Sequence, residues 1–171
     1  ADKCLVMSET KLKEKLNKEI NTFFHKSRDW DIQFKTTKKI TYEDFLSDKI
    51  LMIAAIRAGI PYSLFQLIKG FTPFTEYDWA DFLDISTKSL QRYHQSSQHY
   101  FKPIHSEKII EMAEVTKVGL EVFEDMDKLK LWLNTPNYAL GKIKPIVLLK
   151  DSYGKELVMS ELIRINHGIL V

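Results

Sequence analysis

The stretch EYDWADFLDISTKSLQRY, residues 76–93, has the spacing of two short helices joined by a tight turn. Such a pair requires a small residue where the helices cross and a turn residue that tolerates the left-handed backbone conformation. Ala80 is the small residue, and Asp84 is among the few side chains that adopt that conformation at tolerable cost. The apolar positions that would face the angle between the helices are Trp79, Leu83, Ile85, Leu90 and Tyr93. The pattern therefore predicts a helix-turn-helix, with caps at Thr75 and Ser86.

The second predicted helix would present polar and basic side chains on its outward face. With Leu90 and Tyr93 turned inward, these side chains are Thr87, Lys88, Gln91, Arg92 and Gln95, together with Ser86 at the start of the helix. Arg and Lys can donate to guanine, Gln can pair with adenine, and hydroxyls can reach bases or phosphates. No Asp or Glu occurs between Ile85 and Ser106. We therefore expect this face to bind DNA, although the exposed face of an ordinary helix can carry the same residue types.

Apolar residues at three- and four-residue spacing predict helices along most of the chain. The predicted helical segments are 9–27, 41–59, 62–70, 106–124, 127–134 and 152–168. Strand-like alternation is scarce, and the best candidate strand is IVLL at residues 146–149. We predict an all-α fold in which a helix-turn-helix N-terminal half packs with a small, mainly helical C-terminal domain.

Composition restricts the classes of function. The chain has 171 residues and is 44% hydrophobic, as expected of a globular protein, and its formal net charge of +2 is too small to require a polyanionic partner. Cys4 is the single cysteine, which rules out an intramolecular disulfide and fits a reducing compartment such as the cytoplasm. The longest apolar run, residues 50–56, is too short for a membrane span, and the first residues show no export signal.

The residue patterns offer little support for a cofactor, a metal or catalysis. His94, His99 and His105 do not have the spacing of a compact zinc site, and no cysteine assists them. There is no glycine-rich phosphate loop and no convincing nucleophile. We expect no cofactor, no metal and no enzymatic activity.

The segment WLNTPNYALGKIKPIVLLKDSYG, residues 132–154, is punctuated by closely spaced turn residues, namely Pro136, Gly141, Pro145 and Gly154. The chain must therefore turn sharply between short apolar pieces. Two interpretations stay open from the residues alone. The segment is either a tight connection between core helices or a surface for a partner protein, built on Trp132 and the exposed turn.

The pattern WL-TPN-AL-G---P--LL-D--G from residue 132, followed by L--I-HG up to residue 168, resembles the toxin-binding domain of the Xre/MbcA/ParS antitoxin family. The matching positions are Trp132, Leu133, Pro136, Asn137, Ala139, Leu140, Gly141, Pro145, Leu149, Asp151, Gly154, Leu162, Ile165, His167 and Gly168. The sequence FL-IS and residues 86–93 resemble the Xre-like helix-turn-helix of the same family, so the resemblance covers residues 44–171. Departures from the family pattern occur at Lys88, Ser89, Lys142 and Asn166.

The resemblance implies an antitoxin of a bacterial type II toxin–antitoxin pair, whose toxin is a RES-domain protein that degrades NAD or transfers ADP-ribose from it. Antitoxins of this family are not enzymes: they block the NAD pocket of the toxin with their C-terminal region and repress their own operon through the helix-turn-helix. Carried over by position, the toxin-binding residues are Trp132, Arg164, Asn166, His167, Gly168, Ile169, Leu170 and Val171. The implied organisation is a helical extension (1–40), a DNA-binding domain (41–105) and a toxin-binding domain (106–171).

Two further expectations concern partners. Operators with two-fold symmetry are usually read by dimers, so we expect a homodimer on operator DNA. The alternative function is a stand-alone helix-turn-helix transcription regulator whose C-terminal half dimerises or senses a ligand. A stable complex with a toxin would distinguish the antitoxin from this regulator.

Overall fold

The computed structural model describes residues 8–26, 38–96 and 98–168, and within these ranges it contains ten α-helices and one 3-10 helix. The α-helices are α1 (Glu9–Lys26), α2 (Tyr42–Ser47), α3 (Lys49–Ala58), α4 (Tyr62–Gly70), α5 (Glu76–Phe82), α6 (Thr87–Gln95), α7 (Pro103–Phe123), α8 (Met126–Leu133), α9 (Pro145–Leu148) and α10 (Ser152–Asn166), and the 3-10 helix is Tyr138–Leu140. The described ranges contain no β-strand, only two isolated bridges. The predicted all-α class is confirmed.

Several helices begin and end at the residues that the sequence predicts. Thr41 with Asp44 and Thr75 with Asp78 form complete capping boxes, which satisfy backbone N–H groups at the starts of α2 and α5. Gly59 ends α3 with a φ of +84°, a conformation that glycine adopts without strain. Local capping chemistry therefore sets these boundaries.

The single helix predicted over residues 41–59 is wrong, because the chain breaks at Asp48. This residue has an extended backbone, ends α2, and caps α3 by accepting from the backbone N–H of Ile50 at 2.9 Å and of Leu51 at 3.4 Å. An Asp side chain can accept hydrogen bonds from nearby backbone N–H groups in place of the helix carbonyls. At Asp48 these bonds interrupt one helix and cap the start of the next.

The candidate strand at residues 146–149 is also wrong, because most of this segment forms α9. Pro145 occupies the first turn of α9, where its fixed φ favours a helix and its missing N–H costs nothing. Four apolar residues have no periodicity that separates a buried strand from a short helix.

The first of two compact units contains α1 to α4 together with residues 96 and 98–106. The buried face of α1 includes Phe24, whose ring lies 5.7 Å from that of Phe45 on α2. Two side-chain amides of α1 also accept backbone N–H groups, Asn17 from Tyr42 at 2.9 Å and Asn21 from Ile40 at 3.2 Å. Helix α1 is thus an integral part of the core of this unit.

The second unit contains α5, α6 and residues 107–168. The helix-turn-helix pair is therefore grouped with the C-terminal helices. This division differs from the three predicted regions, 1–40, 41–105 and 106–171, which describe functions and remain a proposal. Helix α7 begins in the first unit and continues into the second. In the described ranges, no helix has both the length and the apolar content to cross a membrane.

Candidate functional site

The turn between α5 and α6 has the geometry that the sequence predicts. Asp84 adopts a left-handed conformation with a φ of +52°. The N–H of Ile85 donates to the carbonyl of Ala80 at 3.0 Å, and that of Asp84 to the carbonyl of Asp81 at 3.2 Å. This pair of bonds is the Schellman arrangement, which satisfies the last carbonyls of α5. The turn is fixed by its own hydrogen bonds.

Apolar residues hold the two helices together. Trp79, Leu83 and Leu90 are buried, whereas Ile85 and Tyr93 are half-buried. The ring of Trp79 lies 5.8 Å from that of Phe74 and 5.9 Å from that of Phe82, both edge-on. The predicted inward face of the pair is therefore confirmed, most completely for its three buried members.

The candidate DNA-binding residues lie on the opposite side of α6. Thr87 is half-buried and the other five are exposed, namely Ser86, Lys88, Gln91, Arg92 and Gln95. Ser86 accepts the backbone N–H of Ser89 at 3.1 Å, as expected of a cap. Arg92 Nη2 donates to Ser89 Oγ at 3.1 Å. The structure thus brings these side chains onto one accessible surface.

Trp132 on α8 is half-buried against the preceding helix. Its ring lies 5.7 Å from that of Phe123, the last residue of α7. One face of the indole therefore packs within the unit, and only the remainder is accessible to a partner. This packing gives Trp132 a structural role, and its role in toxin binding stays a prediction.

Two glycines allow close approach between the C-terminal helices. A Cβ on Gly154 would overlap the backbone carbonyl of Leu148, and a Cβ on Gly119 would overlap the side chain of Leu129. Backbone cannot move aside as a flexible side chain can, so the contact at Gly154 is the stricter of the two. It sets the packing of α10 against α9.

Arg164 is held by a buried carboxylate that sequence reasoning missed. Its Nε donates to Glu161 Oε2 at 2.9 Å and its Nη2 to Glu161 Oε1 at 2.6 Å, while Glu161 is only 8% exposed. The Arg164 hydrogen bond holds the pKa of Glu161 below its usual value against burial, and a hydrogen bond from the Asn137 side chain adds to this effect. In the sequence, the three-residue spacing of Glu161 and Arg164 within a predicted helix is the feature that could have indicated this ion pair.

The remaining candidate toxin-binding residues lie at the end of α10. Asn166, His167 and Gly168 are exposed, and Gly168, with a φ of +66°, adopts the left-handed conformation common just after the end of a helix. Ile169, Leu170 and Val171 lie outside the described residues.

The three histidines considered as metal ligands do not gather a ligand set. In the part of the chain that the structure describes, no group of three or more His, Cys, Asp or Glu is placed to hold a metal ion. Burial lowers the pKa of His99, and the neighbouring His105 lowers it further.

Comparisons with known proteins found three similarities. Residues 119–168 match the model of the family described as the antitoxin Xre/MbcA/ParS C-terminal toxin-binding domain. An Antitoxin Xre from Photorhabdus laumondii subsp. laumondii is 27% identical over 118 residues, which is 68% of this chain and 79% of that protein. A solved structure of the M. tuberculosis MbcT-MbcA toxin-antitoxin complex contains a chain with 22% identity and a TM-score of 0.44, covering 70% of this chain and 95% of its own length. The residues matched by the family include the whole motif at 132–168.

Proposed function

We propose that this chain is an antitoxin, whose residues 119–168 match the Xre/MbcA/ParS C-terminal toxin-binding domain, and that it neutralises a RES-domain toxin that degrades NAD or transfers ADP-ribose from it. In this proposal Trp132 and residues 164–171 bind the toxin and block its NAD pocket. The match of residues 119–168 to the toxin-binding domain is the observation that carries it. The antitoxin itself has no enzymatic activity and acts in the cytoplasm, where its toxin and its operator are both found.

The geometry of α10 supports this role. Exposed residues at the end of the helix are accessible to a partner protein, and the Glu161–Arg164 pair fixes its last turns. A surface that is already ordered loses little conformational entropy on binding, which favours affinity.

Co-purification and an NAD assay test the proposed neutralisation. This chain would be co-expressed with the untagged product of the neighbouring gene, and the complex isolated on the tagged antitoxin. We expect a stable complex, NAD consumption by the isolated toxin, and no consumption when the antitoxin is added in equal amount. If NAD consumption continues within an intact complex, pocket blocking is wrong.

A second part of the proposal concerns the operon. The exposed face of α6 carries Lys88, Gln91 and Arg92, which have the donors and acceptors for reading base edges. We propose that a homodimer binds operator DNA through two such helices and represses transcription of its own gene. Footprinting on the DNA upstream of the gene tests this. DNA binding without any toxin complex would instead favour a stand-alone regulator.

A further inference from the structure

We propose that Tyr138 and Lys142, presented together on the turn at residues 135–144, form a specificity contact that selects an acidic surface of the toxin. The inference rests on the proposed function and deepens it, because it assigns a site and a partner chemistry away from residues 164–171.

The turn is closed by its own backbone. The N–H of Asn137 donates to the carbonyl of Ile143 at 3.0 Å, and the N–H of Lys142 donates to the carbonyl of Asn137 at 2.8 Å. Within this ring of bonds lies the 3-10 helix Tyr138–Leu140. A turn closed in this way presents its side chains in a fixed arrangement.

Lys142 occupies a backbone conformation that its residue type disfavours. Its φ is +63°, directly after Gly141 with a φ of +72°. Glycine would adopt the left-handed conformation at both positions without strain, whereas a lysine Cβ meets the carbonyl that follows it. A strained residue that persists on an exposed turn points to a function of its side chain.

The local contact of Lys142 does not explain the strain. The ammonium group lies 5.5 Å from the centroid of the Tyr138 ring, in cation–π position. Both side chains are exposed, Tyr138 at 83%, and an exposed cation–π contact stabilises no more than the left-handed backbone costs. The contact places the Tyr138 ring and the Lys142 ammonium group side by side.

The turn is also fastened to the core of its unit. Hydrogen bonding by the Asn137 side chain helps to hold the pKa of the buried Glu161 carboxylate below its usual value, and Arg164 donates two hydrogen bonds to the same carboxylate. This anchor lies next to Tyr138 in the sequence. The Tyr138 ring and the Lys142 ammonium group are therefore already positioned before a partner binds, so binding costs little conformational entropy.

The charge of the surrounding segment indicates the chemistry of the partner. Residues 128–150 contain five lysines and no Asp or Glu. Lys150 forms an ion pair with Asp81, with Nζ 3.0 Å from Oδ1. Exposed apolar side chains lie along the same segment, with Val147 exposed at 61% and Ile143 at 41%. A tyrosine amid lysines and apolar side chains fits a protein surface with carboxylates better than it fits DNA phosphates, because phosphates offer nothing apolar to cover.

The substitution Lys142→Gly distinguishes a role of Lys142 in toxin binding from a role in stability. It removes the cation and relieves the left-handed strain, so the melting temperature of the full-length antitoxin should stay the same or rise. Its affinity for the toxin should fall about tenfold, as for loss of a central charged contact. Tyr138→Ala should weaken binding by a similar factor. Lys13→Ala is the control, because it changes the net charge equally on an exposed lysine of α1, in the other compact unit.

Titration of purified toxin by calorimetry, at low and high salt, provides the measurement. The proposal predicts that the loss in Lys142→Gly shrinks as salt rises, because screening weakens the same contact in the wild type. If the wild type binds the toxin and Lys142→Gly binds it with the same affinity, this inference is overturned and the proposed function stays intact. A wild-type chain that fails to bind the toxin overturns both. Loss of operator affinity, with toxin affinity unchanged, would make the surface a DNA contact and overturn the inference as well.

Discussion

Arg92 and Lys88 are the two cationic side chains of the proposed DNA-binding face of α6. Both are exposed on the face opposite Leu90, which is fully buried and fixes the rotation of the helix. Base-edge contacts are strong only where the side chain reaches a defined donor or acceptor. Rotation of α6 about its axis is thus as important as the identity of the two cations.

We expect Arg92→Ala and Lys88→Ala each to weaken operator binding by about 1–3 kcal/mol if they contact bases. Fluorescence anisotropy with an operator duplex measures this. Lys13→Ala, an exposed lysine of α1 in the other compact unit, is the charge-matched control. Unchanged affinity in both α6 variants would mean that another face binds DNA.

The Glu161–Arg164 pair gives a prediction in pH. The pKa of Glu161 is lowered in the folded chain, so the folded state binds fewer protons than the unfolded state near the ordinary Glu value of 4.5. Its contribution to stability is present above that value and is lost as the pH falls through the lowered pKa. We expect Glu161→Gln to reduce the free energy of unfolding at neutral pH by about 1–3 kcal/mol. In urea titrations, the gap between variant and wild type should close on acidification; a gap independent of pH would contradict the assignment.

At the scale of helices and turns, the sequence predicts what local chemistry decides. Asp84, the capping boxes and Gly168 act within a few residues of chain, so their patterns are readable. The break at Asp48 was missed because an Asp within an apolar helical pattern also suits an exposed helix position. The anchor of the 135–144 turn was missed for another reason: Asn137 and Glu161 are 24 residues apart in sequence, and no local pattern pairs them.

Packing of α9 against α10 depends on the absence of a side chain at Gly154. We expect Gly154→Ala to destabilise the chain by about 1–3 kcal/mol, because the added methyl group overlaps the carbonyl of Leu148. Thermal unfolding followed by circular dichroism measures it. Gly70→Ala is the matched control, since its new methyl group would meet only the Leu12 side chain, at 3.6 Å. Equal stability of the two variants would show that α9 moves aside freely.

At the scale of the whole molecule, the proposal assigns neutralisation and DNA binding to different parts of the second unit. Family resemblance supplied the toxin-binding assignment, since neither composition nor periodicity distinguishes such a surface from ordinary helix packing. The grouping of α5 and α6 with the C-terminal helices was beyond the sequence, because it depends on contacts between distant segments such as Lys150 with Asp81.

Removal of residues 169–171 tests that assignment. We expect the shortened chain to keep its helical circular dichroism and its operator affinity, and to lose rescue of cells that express the toxin. The full-length Arg92→Ala variant should behave in the opposite way, rescuing growth while binding the operator weakly. Normal rescue by the shortened chain would contradict the proposed role of these residues.

The interleaving of the two compact units along the chain has a consequence for inheritance. The second unit takes one segment from mid-chain and another from residue 107 onward, with residues 96–106 of the first unit between them. A single crossover within residues 72–168 therefore divides the second unit between two parents. A crossover before residue 72 transfers the second unit whole, together with residues 96–106 of the first unit, so we expect operator choice and toxin choice to descend together.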